Sequence, residues 1–413
     1  MSLSRFALLF VVFIDVMGQG LVFPIVTTIV MDPTQGFLPA HTATSLREID
    51  YGVVIGVFFL AWFLGAAYIS KLSDYIGRKK GILICLAGAF AGYVLTIIAL
   101  YLSNFALLLL GRAVSGFTAG NQPIAQAALI DISRDDDEKA GNLGMIVAAS
   151  ALGLVGGPLM AGVLSDADLL GAYASLELPF YGALLLVLLN TACIIWGFQE
   201  PKVPRRKIDF GLSEVFLTLW RVYQRPTVLR LSIVLFFIFL GLNSYYVFLD
   251  DYLFSRFNFG TLQNSLIMMV LGGTMALGSG MLVAPLNKRF PKIRIVTVCV
   301  VFLAVMDVLY MLNPVALLAY VLLAPLMIVY GVTYPTMLGL FSAAVDASEQ
   351  GWVMGVTIAL YTLGSGSVSL IGGSLMSLDI YTPFFISISA YVIAFGLINT
   401  IWRVQRVRAL DER

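Results

Sequence analysis

Twelve apolar segments of about 20 residues alternate with short polar stretches along the whole chain. A helix of about 20 residues crosses the roughly 30 Å of hydrocarbon in a bilayer, so each segment predicts one transmembrane helix. The predicted spans are 6–30, 51–70, 81–102, 105–128, 141–164, 178–198, 230–253, 264–287, 294–312, 315–343, 352–376 and 382–402. The predicted fold class is an all-α polytopic membrane protein with 12 transmembrane helices.

The longest polar stretch, 199–229, is rich in proline, lysine and arginine and divides the spans into two sets of six. We therefore predict an N-terminal six-helix bundle at 1–198, a cytoplasmic linker at 199–229 and a C-terminal six-helix bundle at 230–413. Parallel repeats of this kind are typical of transporters, whose binding site lies between the repeats. Glycines of the fifth and eleventh spans recur with a shift of 211 residues, as Gly144 and Gly355, Gly153 and Gly364, and Gly162 and Gly373.

Lysine and arginine are distributed unevenly between the two sides of the predicted membrane. Of the 25 Lys and Arg residues, only Arg47 and Arg256 fall on one side and Arg112 falls within a span, while the others share the side of both termini. Because such residues are retained on the cytoplasmic side, we predict that both termini are cytoplasmic.

Composition excludes several other classes of protein. Hydrophobic residues make up 60% of the chain and charged residues 12%, so lipid is expected to solvate most of the surface. A formal net charge of +1 gives no reason to expect a nucleic-acid partner. Cys85, Cys193 and Cys299 lie inside apolar spans, and no Cys/His cluster is present for a metal. No phosphate-binding G-x-x-x-x-G-K-[ST] pattern occurs, so ATP is not the expected energy source and no cofactor is predicted.

Arg112 is a charged residue within the fourth apolar span. An arginine at the centre of the hydrocarbon costs at least about 2.5–3.5 kcal/mol, so it should face protein or water and have a partner. The natural partner is Asp15 in the first span, and extension of Arg112 to the nearer membrane surface is the alternative. Residues at helical spacing around both charges predict a polar face that looks into a cavity. These residues are Gln19 beside Asp15, and Ser115, Ala119, Gln122 and Gln126 after Arg112.

A buried carboxyl group near an arginine can act as a proton switch. Burial favours the neutral acid, and a nearby guanidinium favours the carboxylate. Whether Asp15 holds its proton can therefore depend on which way the cavity opens, as a proton-coupled carrier requires. A purely structural salt bridge between Asp15 and Arg112 remains the alternative.

The fifth span contains an unusual number of residues that weaken a helix. They are Gly144, Gly153, Gly157, Pro158 and Gly162. Small residues at near-helical spacing let two helix backbones approach closely, and a proline inside a span needs neighbours that satisfy the freed carbonyl group. The pattern predicts a specific packing contact rather than a generic membrane anchor.

The loop between the second and third spans reads SKLSDYIGRKK at 70–80. Retained positive charge explains its lysines, but not an acid four residues before an arginine at the membrane edge. Here the chain resembles the major facilitator superfamily, whose hallmark loop is G-x-L-x-D-R-x-G-R-K/R. The matching residues are Leu72, Asp74, Gly77, Arg78 and Lys79, while Ser70 and Tyr75 depart from the pattern.

The resemblance covers essentially the whole chain and implies two bundles of six helices. It also implies that the loop forms a gating latch, in which the acid contacts the start of a second-half helix and locks the outward-facing state. Asp74, Gly77, Arg78 and Asp131 are assigned to this latch by the resemblance.

The fifth span is similar to the antiporter motif of the drug:proton antiporter branch, G-x8-G-x3-G-P-x2-G-G, with Ala161 in place of one glycine. That branch, which includes tetracycline and multidrug efflux proteins, also carries an acid in the first span and the arginine in the fourth. The resemblance implies export by antiport and close packing of this span against the second bundle. It further implies that spans 1, 4, 7 and 10 line a central cavity.

Candidate substrate contacts in spans 7 and 10 are Asn243, Tyr246, Asp250, Tyr330, Tyr334, Met337 and Phe341. Aromatic and methionine side chains suit amphipathic organic molecules of varied shape. Asp250 could instead lie at a solvated outer rim.

The expected function is therefore proton-coupled export of a small amphipathic drug or metabolite by a monomer in the bilayer of a bacterial inner membrane. Import of a nutrient or siderophore, or export of one endogenous metabolite, is the alternative within the same fold. A membrane enzyme is disfavoured, because no reactive cluster occurs at either predicted membrane face.

Overall fold

The computed structural model describes residues 3–133, 136–200, 220–346, 349–376, 379–404 and 407. Within these ranges all regular secondary structure is helical. The first half contains α1 (Leu3–Met31), α2 (Thr44–Ile76), α3 (Arg78–Tyr101), α4 (Phe105–Phe117), α5 (Asn121–Asp131), α6 (Asp136–Ser165), α7 (Ala167–Leu170) and α8 (Leu178–Gly197). The second half contains α9 (Pro226–Phe257), α10 (Thr261–Leu277), α11 (Val283–Arg289), α12 (Lys292–Met311), α13 (Ala316–Ala343), α14 (Gln350–Met376) and α15 (Thr382–Ile401), with a π-helical turn (Gly278–Leu282) between α10 and α11.

Eleven helical segments of the described chain are long and apolar enough to cross a membrane, and each coincides with a predicted span. The remaining predicted span, 105–128, is not one continuous helix, because α4 ends at Phe117 and α5 begins at Asn121. Pro123 favours a break here together with Gly120, which caps the new helix, although Pro24 and Pro158 stand within continuous helices. In a continuous helix the ring of Pro123 would clash with the carbonyl group of Ala119, whereas in the first turn of a new helix its missing N–H costs nothing.

The described chain divides into two compact units. The first comprises Met1–Phe210 and Leu253–Met269, and the second comprises Gly211–Tyr252 and Val270–Arg413. Within the first unit, the segment Leu253–Met269 is bound to α1 by a 2.6 Å hydrogen bond between the hydroxyl groups of Thr261 and Thr28.

Small residues bring helices of the first unit into close contact. A Cβ atom at Gly116 of α4 would overlap the carbonyl oxygen of Phe58 in α2. A Cβ atom at Gly65 of α2 would overlap the carbonyl oxygen of Phe117 in α4 in the same way. Such close approach of backbones is the general role of glycine between transmembrane helices. Both helices contribute residues to the site described below.

The second unit contains an aromatic cluster built from α9, α12 and α15. The ring of Tyr245 lies 5.2 Å from that of Tyr310 and 5.5 Å from that of Phe384, edge to face in both cases. Beside this cluster, Asp307 is fully buried and accepts a hydrogen bond from the hydroxyl group of Ser387. Buried polar groups inside a bundle are held in place by such pairing.

Candidate functional site

A cavity in the first unit brings Asp15 and Arg112 to one site. It contains about 440 Å³ of empty space, counting space that is open to solvent. Its walls come from α1, α2, α3, α4 and the break before α5. The lining residues are Ile14, Asp15, Gly18, Gln19, Phe58, Leu86, Ala89, Tyr93, Arg112, Ser115, Thr118, Ala119 and Asn121. Of the predicted polar residues, Gln19 and Ser115 therefore do face a cavity.

Asp15 is on α1, and its carboxyl group lies beside the start of α5. Its Oδ2 atom accepts a hydrogen bond of 3.3 Å from the backbone N–H of Gln122, in the first turn of that helix. A helix N-terminus favours negative charge, because its first N–H groups are unpaired and its dipole is positive there. The break before α5 thus places a donor for a carboxylate within a membrane-spanning region.

Arg112 is buried, with 4% of its surface exposed, so it does not extend to the membrane surface. Its guanidinium carbon lies 4.2 Å from the centroid of the Phe58 ring, a cation–π contact. Its Nε atom has no hydrogen-bond partner. The expected direct pairing with Asp15 is wrong, since these two described residues form no ion pair within 4.0 Å. They face a shared cavity instead of each other.

Tyr93 of α3 is a member of the site that the sequence reasoning missed. It borders the cavity, and its hydroxyl group lies so close to Gly18 that a Cβ atom there would overlap it. Gly18 follows Asp15 by three residues, about one helical turn. A tyrosine inside an apolar span opposite a glycine was the available signal.

The predicted polar face of the fourth span does not continue beyond the break. The side-chain amide of Gln122 donates to the hydroxyl group of Ser150 in α6, at 3.5 Å. Gln126 is exposed and does not border the cavity. The spacing rule assumed one helix from 105 to 128, and the restart at Asn121 changes the direction in which later side chains point.

Arg78 and Asp131 form the one part of the predicted latch whose side chains are both described. Arg78 Nε lies 3.4 Å from Asp131 Oδ2, and Arg78 Nη1 donates to Ser73 Oγ at 3.1 Å. Gly77 connects α2 to α3 with a φ of +107°, a conformation that residues with a side chain rarely adopt. Asp74 lies on α2, but its side chain falls outside the described part of the chain.

Gly153 and Gly157 of α6 pack against α1. A Cβ atom at Gly157 would overlap the carbonyl oxygen of Met17, and one at Gly153 would lie 3.0 Å from the backbone nitrogen of Met17. The expectation that these glycines pack against the second bundle is wrong. They let α6 approach the helix that carries Asp15.

Pro158 also faces α1, where a Cβ atom at Gly20 would lie 2.7 Å from its Cδ atom. Gly162 differs, because a Cβ atom there would lie 2.7 Å from Cβ of Ser265 in the α10 segment of the same compact unit. For Gly144 the structure gives only its place on α6, and its surroundings fall outside the described part.

The second unit brings two of the predicted aromatic residues, Tyr330 and Tyr334, into one aromatic cluster. The cluster consists of Phe239, Tyr330, Tyr334 and Tyr361. The ring of Tyr334 lies 6.5 Å from that of Tyr330 and 5.6 Å from that of Phe239. The ring of Phe239 lies 5.3 Å from that of Tyr361. Phe239, on α9, and Tyr361, on α14, were not among the sequence candidates. Asn243 is fully buried, and neither atom of its amide group has a hydrogen-bond partner.

The other predicted contacts of the second unit are buried. They are Tyr246, Asp250, Met337 and Phe341. The alternative placement of Asp250 at a solvated rim is wrong, since none of its surface is exposed.

A multi-pass helical protein whose membrane-spanning region contains a cavity lined by an acid and an arginine is typical of membrane transporters. The sequence model of the Major Facilitator Superfamily matches residues 8–369, so the chain belongs to that superfamily. It is a transporter and not an enzyme.

Curated relatives of the chain are named as drug-resistance proteins. The class C tetracycline resistance protein of Escherichia coli is 28% identical over 361 residues, which cover 85% of this chain and 84% of that protein. The quinolone resistance protein NorA of Staphylococcus aureus is 23% identical over 395 residues, 94% of each chain.

Solved structures share the fold. The human organic anion transporter MFSD10 (TETRAN) matches with a TM-score of 0.72 at 20% identity, over 96% of this chain and 99% of that one. A D-xylose–proton symporter matches with a TM-score of 0.73 at 14% identity, over 96% and 98%.

Proposed function

We propose that this chain is a drug:proton antiporter that exports small amphipathic organic molecules across a bacterial inner membrane. In this proposal both termini are cytoplasmic and the protein works as a monomer. The observation that carries the proposal is the cavity that Asp15 and Arg112 border without pairing. An acid held apart from the nearest guanidinium can take up and release a proton without breaking a salt bridge.

Two surroundings of Asp15 act in opposite directions on its proton. The N–H of Gln122 and the start of α5 favour the carboxylate, whereas loss of cavity water on closure favours the neutral acid. A change in cavity access therefore changes proton occupancy. Each proton that enters the cell supplies about 2.3 kcal/mol per 100 mV of membrane potential.

The aromatic cluster of Phe239, Tyr330, Tyr334 and Tyr361 supports an organic substrate with large apolar faces. Aromatic rings bind such molecules through apolar area while the tyrosine hydroxyl groups provide polar contacts. Two relatives are named for resistance to tetracyclines and quinolones, which supports drugs of these classes as first candidates.

The gating latch is proposed to comprise Asp74, Gly77, Arg78 and Asp131. The ion pair between Arg78 and Asp131 is partly exposed, at 20% and 22% of the side-chain surfaces, and such pairs are worth at most about 1 kcal/mol. A contact of that strength can open and close in each transport cycle. The six-helix bundles at 1–198 and 230–413 and the linker at 199–229 are the proposed moving parts.

Substrate-driven proton flux in proteoliposomes tests the proposed function. Purified protein is reconstituted with a pH-sensitive dye inside the vesicles, and tetracycline or a quinolone is added on one side. Antiport requires that protons move against the direction of the drug. Movement of protons and substrate in the same direction would contradict export by antiport, and a panel of drugs and metabolites without any proton flux would contradict the proposal as a whole.

Arg112→Lys should lower the rate of substrate-driven proton flux by at least about tenfold. Lysine keeps the positive charge but loses the planar group that stacks on Phe58. The flux assay measures the effect. Arg289→Lys, at an exposed position of α11, is the matched control and should retain the wild-type rate. Equal rates in both variants would show that charge alone is required at position 112.

A further inference from the structure

Glu200, at the start of the linker, contacts the loop between α2 and α3. Glu200 Oε1 accepts a hydrogen bond of 2.5 Å from the backbone N–H of Arg78, and Glu200 Oε2 accepts one of 3.0 Å from the N–H of Lys79. These are the first two N–H groups of α3, and they have no partner within the helix. The carboxylate also lies at the positive end of the α3 dipole.

The contact is reciprocal, because the same loop holds the end of α8. Lys79 Nζ donates to the carbonyl oxygens of Ile195 at 2.7 Å and Phe198 at 2.8 Å. A cation at a helix C-terminus satisfies free carbonyl groups and complements the dipole. The carboxylate of Glu200, just after α8, thus binds the start of α3. The ammonium group of Lys79, on α3, binds the end of α8.

Gly77 makes this approach possible. A Cβ atom at Gly77 would lie 2.6 Å from Oε1 of Glu200 and 2.9 Å from its Cδ atom. The φ of +107° favours glycine at this position, and the absence of a Cβ atom also leaves room for the carboxylate of Glu200.

Arg78 connects this contact to the latch. Its backbone N–H is held by Glu200, while its guanidinium binds Asp131 and Ser73. We propose that Glu200 is a positioning residue of the gating latch: it fixes the start of α3 so that Arg78 reaches Asp131, and it ties the linker to that latch. This inference rests on the proposed function, which gives the latch its part in the exchange cycle.

The exposure of Glu200 fits such a role. Contacts of exposed charged groups are individually weak, because water competes for them. Here the carboxylate binds backbone groups, so its loss would loosen α3 without leaving a buried charge unpaired. A device that opens in each cycle needs this limited strength.

The test combines amide hydrogen exchange with flux kinetics on the full-length protein. In Glu200→Ala, deuterium uptake by the peptide around 77–81 should accelerate about tenfold, and the maximal rate of substrate-driven proton flux should fall about tenfold with KM changed less than about twofold. Glu200→Gln keeps one strong acceptor and should recover part of both the protection and the rate. The peptide around Asp131 should also exchange faster in Glu200→Ala.

Asp166→Ala is the matched control. Asp166 accepts hydrogen bonds from the N–H groups of Asp168 at 2.8 Å and Leu169 at 3.1 Å, a two-bond cap of the same kind at the start of α7. Its loss should accelerate exchange only around 167–170 and leave the flux unchanged.

Unchanged uptake around 77–81 in Glu200→Ala would overturn the contact, and faster uptake with wild-type flux would overturn the positioning role. A wild-type protein without substrate-driven proton flux would instead overturn the proposed function. The peptide around Asp131 would then decide the role of Glu200, since it must exchange faster in Glu200→Ala and not in Asp166→Ala.

Discussion

Asp15→Asn should abolish substrate-driven proton flux while the protein remains folded. Asparagine cannot bind and release a proton as a carboxyl group does, but its Oδ1 atom can still accept the hydrogen bond from the N–H of Gln122. The cavity that Asp15 shares with Arg112 should keep its shape, because the side chains of aspartate and asparagine are nearly equal in volume. Flux in proteoliposomes should fall to that of empty vesicles, and the thermal unfolding temperature should stay close to the wild-type value.

Asp168→Asn provides the comparison for this prediction. It makes the same chemical change at an exposed position of α7, away from the cavity, and should leave the flux intact. Proton flux at the wild-type rate in Asp15→Asn would show that another group carries the proton. Loss of flux accompanied by unfolding would point to the alternative, a purely structural role for Asp15.

Hydrophobic segment length predicted the helices well, because every helix that crosses a bilayer needs about 20 apolar residues. It failed at span 4, although the signal was present in the sequence. Pro123 stands in the middle of the segment, and Gly120 precedes it as the cap of the new helix. Sequence reasoning took the apolar length as proof of continuity, whereas Gly120 and Pro123 together favour a break and a restart at this point.

The site was only partly predictable. Asp15 and Arg112 stand out as charges in apolar spans, but their separation by a cavity depends on where Phe58 and Tyr93 lie, and that is a tertiary contact. Glu200 could not be found by pattern, since its partners are backbone groups far away in the sequence. Backbone donors carry no sequence signature.

One similarity between the two halves was not predicted, although the sequence contains it. A Pro–Phe pair opens α8 at Phe180 and α15 at Phe384. In each unit this phenylalanine packs against a tyrosine of an earlier helix, with ring centroids 6.2 Å apart for Tyr93 and 5.9 Å apart for Tyr310. The echo of glycines is less faithful: a Cβ atom at Gly153 would crowd α1, whereas one at Gly364 would meet only Asn243, at 3.8 Å.

The packing of α6 on α1 connects the glycine motif to the proposed proton site. Gly153 and Gly157 lie against the backbone of α1 at Phe13 and Met17, on either side of Asp15 in the sequence. The glycines thereby fix the height and rotation of the helix that presents Asp15 to the cavity. We infer that the motif, which resembles those of antiporters, serves in this chain to place Asp15.

Gly157→Leu should therefore destabilise the protein and abolish exchange together. A side chain at this position overlaps the carbonyl oxygen of Met17, so α1 must move away from α6 and carry Asp15 out of reach of Gln122. Overpacking of this kind costs about 1–3 kcal/mol in the free energy of unfolding. Pro158→Ala, which removes only the ring beside Gly20, should slow exchange with a smaller loss of stability. Thermal unfolding in detergent and proton flux in proteoliposomes measure the two effects.

Gly355→Leu is the control for this substitution, because Gly355 of α14 has no neighbour within 4 Å of a Cβ atom. It should unfold at the wild-type temperature and transport at the wild-type rate. If Gly157→Leu also kept full flux, α1 would not depend on α6 for its position, and the link between the glycine motif and Asp15 would be wrong. If both variants lost flux equally, the effect would come from leucine in a glycine-rich helix and not from contact with Met17.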